Sequence, residues 1–330
     1  MLFLSPESLL TATDMSPTDQ RGPRKTLLMA SFLWTISVLL TLFCFTFQDR
    51  TGPTYPLEGV VHTPRGDVHF KFLRSETIGN ALDVLLVEPV PEGLSAVVEY
   101  RRARSSDRWT SLSFAPGTFE FSRRGRTETV RGLGARLPSL SEPAGKYEYF
   151  VYLDAGTGEK ISATAETPVV ARYKGAVPTG VLILHILVIF ASMTFACRTV
   201  LEAIVNGEFH WMLWVTVCSL LAGAFFLGPL VQQYAFGVWW SGVPYGHDWT
   251  DNKVLIELAF WIVALLLNRG SRRHRASIYA AGIITLLVYL IPHSVFGSEF
   301  DYTKGAGSRE TSSLLSSPVL FSSERCFRGF

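Results

Sequence analysis

Cysteine, charge and hydrolase motifs are scarce in this chain, and each scarcity closes off a class of protein. Four cysteines (Cys44, Cys197, Cys218, Cys326) are scattered over 330 residues, and none falls between residues 48 and 178. There is no disulfide framework, no Cys-x-x-Cys pair and no haem-attachment Cys-x-x-Cys-His. A module in that stretch must hold together by its core alone. Charged residues make up 18% against 48% hydrophobic, and the mean hydropathy of +0.24 is unusual for a soluble protein. The sequence has no phosphate-binding glycine loop, zincin helix or Gly-x-Ser-x-Gly elbow, which argues against an ATP-driven enzyme or a hydrolase of those types. The net charge of +2 says nothing about partners, and no basic block has the form of a nucleic-acid footprint, because the Arg clusters sit beside apolar stretches.

What the chain does have is apolar length. Five stretches stand out: Thr26–Phe47, Thr179–Cys197, Trp211–Leu227 running on toward Gln232, Val254–Leu267 and Ile278–Ile291. A spanning helix needs roughly 20 apolar residues to cross a core of about 30 Å. The first three meet that length; the last two span only with their polar ends in the headgroup layer or the bundle interior. The expected organisation is a polar N-terminus (1–25), a first transmembrane helix (26–47), a long insert (48–178), a four-helix transmembrane domain (179–302, helices near 179–197, 211–232, 253–268 and 277–293) and a tail (303–330). Residues 1–20 read as disordered, with Met15 as an alternative start. Phe43-Cys44-Phe45-Thr46-Phe47 offers no small-residue cleavage site, so the first stretch reads as an uncleaved signal anchor.

Positive charge sets the orientation. Arg21, Arg24 and Lys25 precede the first stretch, Arg198 closes the second, and Arg269, Arg272, Arg273 and Arg275 fall between the fourth and fifth. All lie on one side of a five-span count, which places them in the cytoplasm and turns the insert, the Gly228–Asn252 loop and the C-terminus outward.

The insert reads as all-β. Strand candidates are Val68–Leu73, Leu82–Val87, Ala96–Tyr100, Thr110–Phe114, Glu128–Leu133, Tyr147–Leu153, Lys160–Thr164 and Val169–Tyr173, separated by turn clusters such as Ser105-Ser106-Asp107 and Ala115-Pro116-Gly117. Alternation is clearest in Tyr147-Glu148-Tyr149-Phe150-Val151-Tyr152. Short strands in this number fit an immunoglobulin/fibronectin-like sandwich, the fibronectin-like version being preferred because the Cys…Trp…Cys hallmark is missing. Arg65-Gly66-Asp67, between His62 and His69, reads as a turn rather than an adhesion motif. Arg101, Arg102 and Arg104, with Arg123, Arg124 and Arg126, read as solvated turns, or as a docking face for anionic headgroups or an acidic partner.

Chemistry is concentrated in the apolar part, where ionisable groups are costly and therefore functional candidates. At about 1.5 Å of rise per residue, His185 lies roughly 9 Å inside the outer boundary. His293 closes the fifth stretch near that boundary, and Glu257 sits about one turn below the start of the fourth. His247, Asp248 and Asp251, in the segment Gly246–Lys253, cap the same side. These six residues are the candidate outer-leaflet site. Two stripes of small or polar residues, Gly282/Thr285/Tyr289/His293 and His185/Ser192/Ala196/Thr199, face inward by helical phase. Helix packing alone also accounts for them. Pro292 frees the carbonyl of Val288 and creates a need for a polar partner. Thr250, Asp251 or Asn252 is the expected N-cap of the fourth helix, with Lys253 and Glu257 as an i, i+4 ion pair, and Trp239, Trp240, Tyr245 and Trp249 suit an interfacial belt. His185 and His293, the pair at matching depth, would be the ligands of a metal ion or a b-type haem.

Arg172–Pro178, Gly228–Gly237, Thr250–Lys253 and the segment from Ile291-Pro292-His293-Ser294 to Asp301-Tyr302 resemble those of a group of uncharacterised bacterial polytopic inner-membrane proteins. The resemblance covers about residues 48–303 and implies the same architecture, with no established activity to transfer. The Ser-rich tail from Lys304 departs from it and reads as disordered. Three functions remain open: a non-enzymatic membrane protein whose outer sandwich docks an extracytoplasmic partner, a membrane redox or metal/haem-binding subunit using His185 and His293, and a transporter or channel component. Only five spans and no inverted repeat weigh against the last. The lipid bilayer is a partner in each.

Overall fold

A computed structural model describes residues 23–123, 126–156, 158–164, 166–292, 297, 299–304 and 309–310. The N-terminal 22 residues, His293 and most of the tail lie outside the described residues, as do the side chains of Arg123, Arg124 and Arg126.

The insert forms two β-sheets around one core. One sheet has the order β1-β2-β4-β8-β7, built from β1 (Leu57–Thr63), β2 (Gly66–Phe72), β4 (Leu82–Val87), β8 (Arg126–Leu137) and β7 (Ala115–Arg123). The other runs β3-β11-β9-β5-β6, from β3 (Ser75–Thr77), β11 (Val169–Lys174), β9 (Lys146–Asp154), β5 (Ser95–Arg102) and β6 (Thr110–Ser113), with β10 (Lys160–Ser162) also on β9. All pairs are antiparallel except β3 with β11. The period of two is strict in β9: Tyr147, Tyr149, Val151 and Leu153 are buried and their neighbours are not. They meet Phe72, Leu82, Val84 and Leu86 of the opposite sheet. Each such side chain contributes about 1.5–3 kcal/mol of burial, which is how the module holds without a disulfide.

All eight expected strands are present, and three more appear. β7 runs through Ala115-Pro116-Gly117, expected to be a turn. Pro116 is tolerated because β7 is a sheet edge, and Gly117 sits opposite Gly132. The Arg65-Gly66-Asp67 turn joins β1 to β2, with Gly66 at φ 128°. Arg101, Arg102 and Arg104 are ion-paired with Glu148, Asp107 and Glu299.

The helices are α1 (Pro23–Thr51), α2 (Thr179–Ile204), α3 (His210–Leu220), a π-helical segment (Leu221–Leu227) continuing into α4 (Gly228–Phe236), α5 (Trp249–Leu267) and α6 (Arg275–Leu290). Three are long and apolar enough to cross a membrane: Leu27–Thr51, Thr179–Ile204 and the continuous His210–Phe236. α5 carries Asp251, Lys253 and Glu257, and α6 is 16 residues long. α2 extends past Cys197 because Arg198 pairs with Glu202 one turn on. α6 stops at Leu290, two residues before Pro292, since the residue preceding a proline is pushed out of helix. The small-residue stripes do pack. A Cβ on Gly282 would meet Val200 Cγ2 of α2 at 2.4 Å, and Ser192, Ala196 and Thr199 are buried.

Sandwich and helices are stitched together twice. The linker donates from Gly175 N to Ala235 O at 2.8 Å, an approach so close that a Cβ there would lie 2.2 Å from Tyr234 O. Beyond α6 the chain returns to the sandwich: Phe300 N donates to Ala144 O (3.1 Å), Tyr302 N to Arg104 O (3.0 Å), and Glu299 pairs with Arg104 (3.0 Å) and Lys146 (3.5 Å).

Candidate functional site

Where α1, α2, the π segment, α4, α5 and α6 meet the foot of the sandwich they form a cavity of about 390 Å³. His185, Asp248, Asp251 and Glu257 line it, joined by Arg172, Gln232 and Lys253. Four of the six expected residues therefore converge. His247 is exposed and lies off the cavity, and His293 is outside the described residues, so its pairing with His185 stays unplaced.

The π segment sets the shape of one wall. Pro229 has no N–H to give to the helical ladder, so the hydrogen bonds slip by one residue and Gly228 N donates to Gly223 O. The same carbonyl accepts from His185 Nδ1 at 3.0 Å. A carbonyl only accepts, so Nδ1 bears the proton, and in the neutral ring Nε2 is the acceptor.

On the facing wall, Glu257 is 2% exposed and its Oε1 accepts from Thr285 Oγ1 at 2.9 Å. That hydroxyl in turn accepts from Trp261 Nε1 at 2.8 Å. Lys253 does not close the expected i, i+4 pair. Its Nζ donates to Ile291 O (2.6 Å) and Val288 O (3.3 Å), and so satisfies the carbonyl that Pro292 leaves without a donor. Asp248, not Thr250, Asp251 or Asn252, is the N-cap of α5, accepting from Thr250 N at 2.8 Å. It wins because the helix begins one turn earlier than the apolar stretch. Asp251 is thereby placed in the first turn, where its Oδ2 accepts from Ser241 N (2.7 Å), Ser241 Oγ (3.0 Å), Gly242 N (3.1 Å) and Gln232 Nε2 (3.2 Å). This carboxylate ties the α4–α5 loop down as the lid of the cavity.

Arg172 enters from β11 with its guanidinium 5.8 Å from the Phe236 ring centre. Burial holds it below the ordinary guanidinium range, and the carboxylates of Asp248 and Glu299 oppose that shift. Sequence reasoning had no signal for Arg172, since nothing local shows that a strand end will reach a helix cap. Gln232 was legible only as a polar residue inside an apolar run.

Among the described residues, no three His, Cys, Asp or Glu side chains stand close enough to hold a metal ion. No protein-family model, curated protein or solved structure was found to match the chain.

Proposed function

We propose that this is an integral membrane protein that binds an amphipathic small molecule in the cavity beneath its outward-facing sandwich. The supporting observation is the cavity itself: its volume lies in the range of small-molecule sites, about 300–1,000 Å³, with mostly apolar walls and a few convergent polar groups. Phe45, Leu182, Ile186, Ile189 and Phe190 supply the apolar side. The reading takes all five helical units as spans. It is supported by contacts at the end remote from the sandwich, where Arg273 of the α5–α6 loop and Arg275 at the start of α6 bond Glu208 and Asn206 of the α2–α3 loop. α5 and α6 thus cover the same depth as α2 and α3, and the arginine-rich loops gather on the side that the charge rule assigns to the cytoplasm.

We take the sandwich as immunoglobulin/fibronectin-like. The order β2-β4-β8-β7 follows A-B-E-D and β5, β9, β11 follow C, F, G, with β3 parallel to β11. A partner-docking role for this module draws support from Trp109, 39% exposed, with Arg101 at 4.6 Å and Phe150 at 5.4 Å from its ring. Exposed Trp–Arg pairs are frequent interface anchors.

The cavity reading is tested by quenching Trp240, which lines the cavity, with bromo-octanol on the full chain in phosphatidylcholine nanodiscs. Saturable quenching that Trp240→Phe removes and Ala224→Phe blocks is the expected result. Quenching that only rises linearly with probe, as for partition into lipid, would overturn it.

A further inference from the structure

The polar groups of the cavity differ in what remains for a ligand. Both cations are engaged: Lys253 donates to the Val288 and Ile291 carbonyls, and Arg172 faces the Asp248 and Glu299 carboxylates. The donors around Glu257 are engaged as well. Trp261 Nε1 goes to Thr285, Thr285 Oγ1 to Glu257, and Tyr289 Oη to Ile189 O at 3.3 Å. Trp240 Nε1 serves Val243 O, and Gln232 Nε2 serves Ser241 and Asp251. Several lining groups keep acceptor capacity with no donor among the described residues, including Gln232 Oε1 and Asp251 Oδ1, and two of them are an almost fully buried carboxylate and an imidazole. One is the second carboxylate oxygen of Glu257, a residue 98% removed from solvent, its exposure being 2%. The other is Nε2 of His185.

A carboxylate oxygen that no protein group bonds, open to the cavity beside an apolar wall, is placed to take a ligand's donor. From this we infer that the ligand is an alkyl or arylalkyl ammonium: a protonated amine whose N–H groups go to Glu257 and His185, and whose hydrocarbon body lies along Phe45, Ile186, Ile189 and Phe190. A neutral alcohol brings only one donor and no charge. A quaternary ammonium brings charge and no donor. A carboxylate or phosphate would meet Glu257 as a like charge.

The inference rests on the binding reading above, and one experiment separates the two. Bromo-octylamine, bromo-octanol and bromo-octyl-trimethylammonium are compared as quenchers of Trp240 in nanodisc-embedded full-length protein. The amine should bind roughly ten- to a hundredfold more tightly than the alcohol or the quaternary ion, the margin expected for hydrogen bonds to a charged group. Glu257→Gln keeps the Thr285 contact and should remove the amine's margin over the alcohol. Equal saturable binding of amine and alcohol, or of amine and quaternary ion, overturns the ammonium assignment and leaves the cavity reading standing. If no probe saturates, the cavity reading itself fails. The wild-type comparison decides the question even where the variant is not recovered.

Discussion

Lys253 shows how one side chain can settle a problem posed 39 positions later. Pro292 cannot donate to Val288 O, so that carbonyl lacks its helical bond. The ammonium of Lys253 reaches it at 3.3 Å and the Ile291 carbonyl at 2.6 Å, with the residue 3% exposed. Lys253→Met keeps the stem but strands both acceptors, each costing about 1–3 kcal/mol. Thermal unfolding of the detergent-solubilised protein should therefore fall to a clearly lower midpoint. A double variant with Pro292→Ala should recover part of the loss, because the Val288 carbonyl regains a helical donor. No recovery would mean that Lys253 acts through something other than the proline gap.

The π segment is the element on which the cavity depends. It places Gly223 O at His185 and sets the rotation at which α4 presents Val231, Gln232 and Phe236 to the cavity. Pro229→Ala would return the missing N–H, let the segment close as α-helix with its residue count unchanged, and turn α4 by about 100°. Gln232 would then leave Asp251, and the α4–α5 loop would lose one of its ties. Saturable quenching of Trp240 by bromo-octanol should disappear in that variant while membrane insertion persists; retention would show that the π register does not shape the site. Such an element is only half legible in sequence. Gly228-Pro229 announces a break in the ladder, yet nothing local says that the chain will absorb it as a bulge rather than a kink. Strands were read well where the two-residue alternation survives, as in β9, and missed in β7, where Pro116 and Gly117 have the chemistry of a turn and only an edge position admits them. The depth argument brought His185, Asp248, Asp251 and Glu257 to one cavity because rise per residue is fixed. It was blind to Arg172 and to the return of Glu299, which are decided by tertiary folding.

At the scale of the whole molecule, sandwich and helices are coupled rather than merely tethered. Alkaline phosphatase fused after Ser113 or Thr303 should be active and a fusion at Ser271 inactive; activity at Ser271 would overturn the five-span orientation. The coupling also has an acid–base consequence outside the membrane. Glu299 returns to the sandwich beside Lys146, whose ammonium is pushed from 10.5 down to about 8 by burial, with Arg172 adding repulsion and Glu299 opposing both. Between pH 8 and 10.5 the unfolded chain holds this proton and the folded chain does not, so stability rises with pH across that window. Below 8 the cost of the buried charge is fully present. Above 10 the trend reverses, because burial raises Tyr147 to about 12 and the unfolded chain then loses phenolic protons first. Thermal midpoints of the full chain should thus increase from pH 8 to pH 9.5. Lys146→Gln should reduce that rise, and Glu299→Gln should shift the Lys146 part of it to lower pH by removing the group that holds the proton on. A flat wild-type profile over this window would show that Lys146 keeps its ordinary affinity for a proton, and that the return strand leaves it in contact with water.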